Sequence, residues 1–184
     1  MRERDRAQPA VKIRPAQGDD TEAIVRLVES AYRGGASRSG WTTEADLLEG
    51  QRTDPAQVAE ILARPGALIL LAADDEGTLV GCCHIEPRPG GIAYFGMFAV
   101  DPQRQGLGVG RALIEEARTV ATEWGSRELR MTVIRQRDDL LAWYRRLGFL
   151  PTGETEPFPY GDERFGKPLR DDLEFVVLAG PVAS

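Results

Sequence analysis

A chain of 184 residues, 42% hydrophobic and 28% charged, is long enough to bury a sizeable core and has an ordinary globular composition. Its 29 acidic against 23 basic side chains leave a formal net charge of −6, which argues against general attraction to nucleic acid. No apolar run approaches the roughly 18 residues a membrane helix needs. The charged start MRERDRAQPA has no apolar stretch behind it, so we expect a cytoplasmic protein without a secretory signal.

Residues 1–10 read as a flexible polar tail and residues 11–180 as one domain. Val11 to Pro15 forms a short first strand. Asp19, Asp20 and Glu22 then precede Ile24, Leu27, Val28 and Tyr32, a helix with acid in its first turn. After the glycines up to Gly40, a second segment runs from Trp41 to Leu48, with Thr42 or Thr43 as its N-cap. Asp54-Pro55 supplies the N-cap and first position of a helix that ends near Arg64-Pro65. ALILLAA and TLVGCCHIE pair as a hairpin about the turn Asp74 to Gly77. The neighbours Cys82 and Cys83 point to opposite faces of that strand, so they act as small core residues and form no disulfide with each other.

A third strand, IAYFGMFAVDP, leads into RQGLGVGRAL. Val109, Leu113, Ala117, Val120 and Trp124 then recur at spacings of three and four, one stripe of an amphipathic helix. Leu129 to Ile134 is a further strand. Asp138 or Asp139 caps a helix carrying Leu140, Leu141, Tyr144 and Leu147, with Gly148 at its C′ position. Phe149 to Thr155 and Leu173 to Leu178 are the last strands, separated by a loop rich in Pro, Gly and charge. The order of elements predicts an α/β (α+β) fold, a mixed sheet with helices on its faces.

The chemistry starts at the loop. Gly106, Gly108 and Gly110 lack Cβ atoms, so the backbone can turn through positive φ and lie close to a ligand. The helix behind them presents unpaired amides and a macrodipole of roughly half a positive charge, which favour a phosphate or pyrophosphate. Arg104 and Arg111 add charge-assisted donors. The run ends Gly110-Arg111-Ala112, without the Lys-Ser/Thr of a P-loop. It also lacks the acidic residue at a second strand end that the dinucleotide fingerprint requires.

With these elements in order, the sequence resembles the GNAT superfamily of acyl-CoA-dependent N-acyltransferases. The resemblance rests on Gln105-Gly106-Leu107-Gly108-Val109-Gly110 after a strand ending MFAVDP, and on LLAWYRRLGF further along. It implies a mixed, mostly antiparallel sheet of about seven strands flanked by helices on both faces. It also implies a V-shaped opening for acetyl-CoA between the strand ending at Val100 and the one from Leu129. Phe98, Ala99 and Val100 would then run beside the pantetheine arm, and Arg104, Gln105, Gly106, Leu107, Gly108, Val109, Gly110 and Arg111 would surround the pyrophosphate. Tyr144 matches the family tyrosine that assists the leaving thiolate. Arg137 stands where many members have asparagine, and we expect it to contact cofactor or substrate.

N-acetylation also needs a neutral amine, although an alkyl ammonium has a pKa near 10.4. Candidate bases are Glu86 and His84, which share a strand face, or a water chain lined by Tyr94. The resemblance puts acceptor choice in the first helical region and the late loop, where Tyr32, Trp41 and Glu44 are candidate contacts and Glu44 a candidate ammonium anchor. The expected activity is acetyl transfer from acetyl-CoA to a small-molecule or protein amine by a monomer or homodimer, without a metal. A non-catalytic acyl-CoA-binding module is the alternative.

Overall fold

Apolar runs bounded by turn residues become strands covered on both faces. The computed structural model describes residues 10–33, 37–40 and 43–183. Its strands are β1 (Lys12–Pro15), β2 (Leu48–Glu49), β3 (Leu68–Ala73), β4 (Leu79–Arg88), β5 (Ile92–Val100), β6 (Glu128–Ile134), β7 (Leu150–Pro157), β8 (Lys167–Pro168) and β9 (Glu174–Pro181). The α-helices are α1 (Thr21–Tyr32), α2 (Pro55–Ala63), α3 (Val109–Glu123) and α4 (Asp138–Arg146). Trp41, the cap candidate Thr42 and most of the expected tail, residues 1–9, lie outside the described residues.

Seven strands form one sheet in the order β1-β3-β4-β5-β6-β9-β7, antiparallel except where β5 meets β6. On one face Ile69, Leu71, Cys82 and Ala99 pack against Ile24, Leu27 and Val28 of α1 and Val58 and Ile61 of α2. On the other, Leu70, Cys83, Ile85 and Phe95 pack against Leu113, Ile114 and Ala117 of α3 and Leu140 and Tyr144 of α4. Cys82 and Cys83 are accordingly buried, free and on opposite faces.

Local signals set most helix ends. Asp54 accepts from the Gln57 amide at 2.9 Å with Pro55 at the first helical position. Gly148 follows the α4 C-cap at φ +89°. Two expectations need correction. Asp138 and Asp139 lie inside the first turn of α4, whose N-cap is Arg137, so they favour the helix through its dipole rather than by capping. The stretch from Thr43 to Leu48 is no helix. Thr43 Oγ1 accepts from the Ala45 amide, but Leu48 and Glu49 are drawn into pairing with Pro168 and Lys167, and Gly50 turns away at φ +80°.

Two irregularities make a site. Pairing of β5 with β6 stops after Ile92 to Tyr94 against Glu128 to Arg130, so the strands diverge beyond that point. The expected V-shaped opening follows from this. On the other edge of β5 the register passes from Cys82↔Ala99 to His84↔Gly96, leaving Met97 and Phe98 opposite Cys83 alone. This bulge, with Met97 at φ +43°, resets the alternation of side chains. Tyr94 and Phe98 would otherwise share a face. Phe98 instead joins the α3/α4 core.

Candidate active site

The glycine loop meets α3 as its sequence requires. Gly106 and Gly108 have φ of +83° and +91°, the left-handed region that glycine enters without strain, and Gly108 is the N-cap. None of the amides from Gly108 to Arg111 has an acceptor among the described residues, which leaves a row of donors at a helix N-terminus. Gly110 has a different task. A Cβ there would lie 2.9 Å from Phe98 Cζ and 3.4 Å from the Trp143 ring, so its glycine lets α3 close onto the core. Arg104 is paired with Asp74 at 3.1 Å. A cavity of about 320 Å³ beside the loop is lined by Asp74, Asp75 and Glu76 as well as Arg104, Leu107 and Val109. Its carboxylates disfavour a diphosphate there and leave the amides as the better seat.

The opened edge of β5 carries two carbonyls met by side chains. The Tyr32 hydroxyl donates to the Phe98 carbonyl, and Gln105 Nε2 donates to that of Val100 at 3.1 Å. Phe98 stacks on Trp143 at 5.8 Å, and Tyr144 packs against Phe98, Trp143 and Phe149. Tyr144 is buried, and burial raises its phenol well above the ordinary value. Its hydroxyl has no hydrogen-bond partner among the described residues. The group is therefore a neutral donor with its proton uncommitted. It lies within electrostatic reach of Tyr32, Tyr94 and Arg137.

On the opposite face of the sheet, β4 carries His84 and Glu86 and β5 carries Tyr94. His84 Nε2 is 3.1 Å from Glu86 Oε2, and its ring meets Tyr94 edge-on at 5.4 Å. A Cβ on Gly96 would collide with the Tyr94 hydroxyl, so that glycine makes room for it. Burial, partly offset by Glu86, pushes the His84 imidazole down to about 4. Neutral His84 donates Nε2–H to the carboxylate and keeps a lone pair on Nδ1. Glu86 is also held by Arg64 at 2.9 Å and Arg88 at 3.4 Å, so both its oxygens have partners.

Tyr32, Glu44 and Arg137 converge below the opening. Glu44 pairs with Arg33 at 2.6 Å, Arg137 at 3.5 Å and Arg52 at 3.9 Å. Its carboxylate is surrounded by cations of the chain itself, which weakens its pull on a substrate ammonium. Burial, with Glu44 nearby, pushes the Tyr32 phenol up to about 12, and the Arg52 guanidinium lies 5.5 Å from its ring centre. Arg52, Arg64 and Arg88 are not singled out by sequence reasoning, because single arginines in polar stretches carry no signal. Gly96 within a strand pattern was the available sign of a bulge.

The model of the Acetyltransferase (GNAT) family matches residues 23–149, which span β3 to β6, the glycine loop and α4. The chain belongs to the GNAT acetyltransferase family. Members of this family generally use acetyl-CoA as cosubstrate. The chain is 32% identical over 146 residues to a mycothiol acetyltransferase of Clavibacter sepedonicus, covering 79% of the chain and 45% of that protein. The chain thus matches about half the length of that curated relative. Its fold is similar to that of Ard1 from Thermoplasma volcanium, with a TM-score of 0.70, 18% identity and coverage of 95% and 99% of the two chains. It is also similar to the ribosomal-protein-S18-alanine N-acetyltransferase of Escherichia coli, with a TM-score of 0.68, 18% identity and 95% of both chains covered. No α-helix among the described residues is long and apolar enough to cross a membrane.

Proposed function

We propose that this GNAT acetyltransferase moves an acetyl group from acetyl-CoA directly to a primary amine while both are bound. The observation that supports it most is the opening between β5 and β6, with the free amides of the glycine loop beside the end of β5 and the Tyr144 hydroxyl facing no partner. Bound acetyl-CoA supplies the activated thioester. Amides from Gly108 to Arg111 hold its pyrophosphate, and the β5 edge from Phe98 to Val100 guides the pantetheine arm.

The amine nitrogen attacks the carbonyl carbon, the C–S bond breaks, and Tyr144 donates a hydrogen bond to the departing sulfur. A raised phenol pKa keeps that proton on Tyr144, so its contribution is stabilisation of the thiolate, not proton transfer. Transfer through a cysteine is disfavoured, because burial pushes the Cys82 thiol up to about 12 and raises that of Cys83 well above its ordinary value. Glu86 has both oxygens engaged by arginines, and His84, pushed down to about 4, is a poor proton acceptor. We assign the proton to water, oriented by His84 Nδ1 and Tyr94 on the amine side of the sheet.

Tyr144→Phe tests the reading. Turnover, followed by released thiol, should fall about a hundredfold, the scale of one lost transition-state donor, with the acetyl-CoA Kd within about twofold of wild type. Unchanged turnover would remove Tyr144 from the mechanism and favour a cofactor-binding module.

A further inference from the structure

Buried charge is out of balance at one place in this fold. Arg33 and Arg137 are 6% and 8% exposed, and Glu44 is 9% exposed. With Arg52, three guanidinium groups converge on that one carboxylate. Glu29, close in the chain to Arg33, accepts from the backbone amides of Arg52 and Thr53. Arg33 Nε and Nη2 and both Arg137 Nη atoms are buried without a hydrogen-bond partner among the described residues. Arg137 Nη1, although 3.5 Å from Glu44 Oε1, makes an ion pair without hydrogen-bond geometry. Unpaired buried charge is costly, and a fold that retains it gains when an anion arrives.

The position of the cluster identifies that anion. The Glu44 amide donates to the Tyr32 carbonyl, and the Tyr32 hydroxyl reaches Phe98 at the bulge. Arg137 lies within electrostatic reach of Tyr144. The excess cations therefore border the place where the acceptor amine must meet the thioester. Cover comes from the two-residue pairing of β2 with β8, where a Cβ on Gly166 would lie 3.1 Å from Arg33 Nη2. So small a ladder opens easily.

We propose that Arg33, Arg52 and Arg137 bind a carboxylate carried by the acceptor, which makes the substrate class an amine bearing an anionic group, with an α-amino acid as its simplest form. The proposal rests on the acetyltransferase reading above. A guanidinium fork matches a carboxylate in shape as well as charge. The same charge balance turns diamines and other polycations away.

The test uses matched acceptors on the full chain with acetyl-CoA and thiol release as readout. For several side-chain sizes the free amino acid is compared with its amide and its decarboxylated amine. Wild type should prefer the acid over the amide by about a hundredfold in kcat/KM. Arg137→Gln and Arg33→Gln should each reduce that ratio to below about tenfold, with Arg137→Lys in between. Because the ratio is taken within one variant, a change in cofactor affinity cancels. If the glutamine variants do not fold by circular dichroism, the wild-type and Arg137→Lys ratios decide. An amide or diamine used as well as the acid would overturn the proposal.

If acetyl-CoA binds but no acceptor in the panel turns over, thermal melts with N-acetyl amino acids against N-acetyl amino amides decide it. Stabilisation by the acids alone supports the anion site, and no difference overturns it. If acetyl-CoA does not bind, the acetyltransferase reading falls separately, and melts with free amino acids against their amides judge the anion site alone.

Discussion

His84 combines burial, a carboxylate neighbour at 3.1 Å and two arginines on that carboxylate, and the outcome is an imidazole held neutral down to about 4. An unfolded chain takes up this proton near 6.5. Between those values the unfolded state binds the proton and the folded state does not, so the stability is complete above about pH 6.5 and is lost as pH falls toward 4. Urea melts from pH 7 to 4 should show that slope, and His84→Gln should flatten it. An unchanged slope would assign the acid sensitivity to carboxylates elsewhere. The same residue leaves the catalytic pH dependence to the acceptor amine. With a water route, kcat/KM should rise with the neutral fraction of the acceptor amine and show no break near 6.5. His84→Gln should cost less than about tenfold, against the 10²–10⁴ typical of a general base.

At the scale of elements, α3 and β5 carry the most information. Helix propensity alone predicts that Gly110→Ala stabilises α3 by about 1 kcal/mol. Packing predicts the opposite, since the added methyl meets Phe98, itself held by Phe95, Trp143 and Tyr144. We expect a net loss of about 1 kcal/mol or more in chemical denaturation, and a gain would show that α3 sits farther from β5. Gly108→Glu forces a side chain into φ +91° and places a carboxylate among the free amides, so acetyl-CoA binding should be abolished in a folded protein. Wild-type affinity there would mean that the loop does not hold the diphosphate.

These elements were legible because their signals are local. Short apolar runs about a turn mark β3 and β4, Asp54-Pro55 starts α2, Gly148 ends α4, and three alternate glycines open α3. The β2–β8 pairing was not legible, since two residues on each side leave no periodicity. The bulge had only Gly96 as a sign, and its positive φ falls on Met97 beside it. The sign of the acceptor region was hidden as well. Glu44 reads as an ammonium anchor until the fold brings Arg137 and Arg52 to the carboxylate that Arg33 already holds.

Across the whole molecule, the sheet separates two supplies of chemistry. Tyr144, Phe98 and Trp143 belong to the face of α3 and α4, while His84, Glu86, Tyr94 and Tyr32 belong to the face of α1 and α2. A closed sheet would keep them apart. In the proposed mechanism, the loss of pairing between β5 and β6 after Tyr94 would let a thioester and an amine meet through it. Every step assigned above depends on acetyl-CoA occupying that opening. Calorimetric titration of the purified chain with acetyl-CoA, with ATP and NAD as controls, tests this most directly. The structure predicts selective binding of one acetyl-CoA per chain, while a folded protein that binds none, or binds ATP or NAD instead, would contradict it.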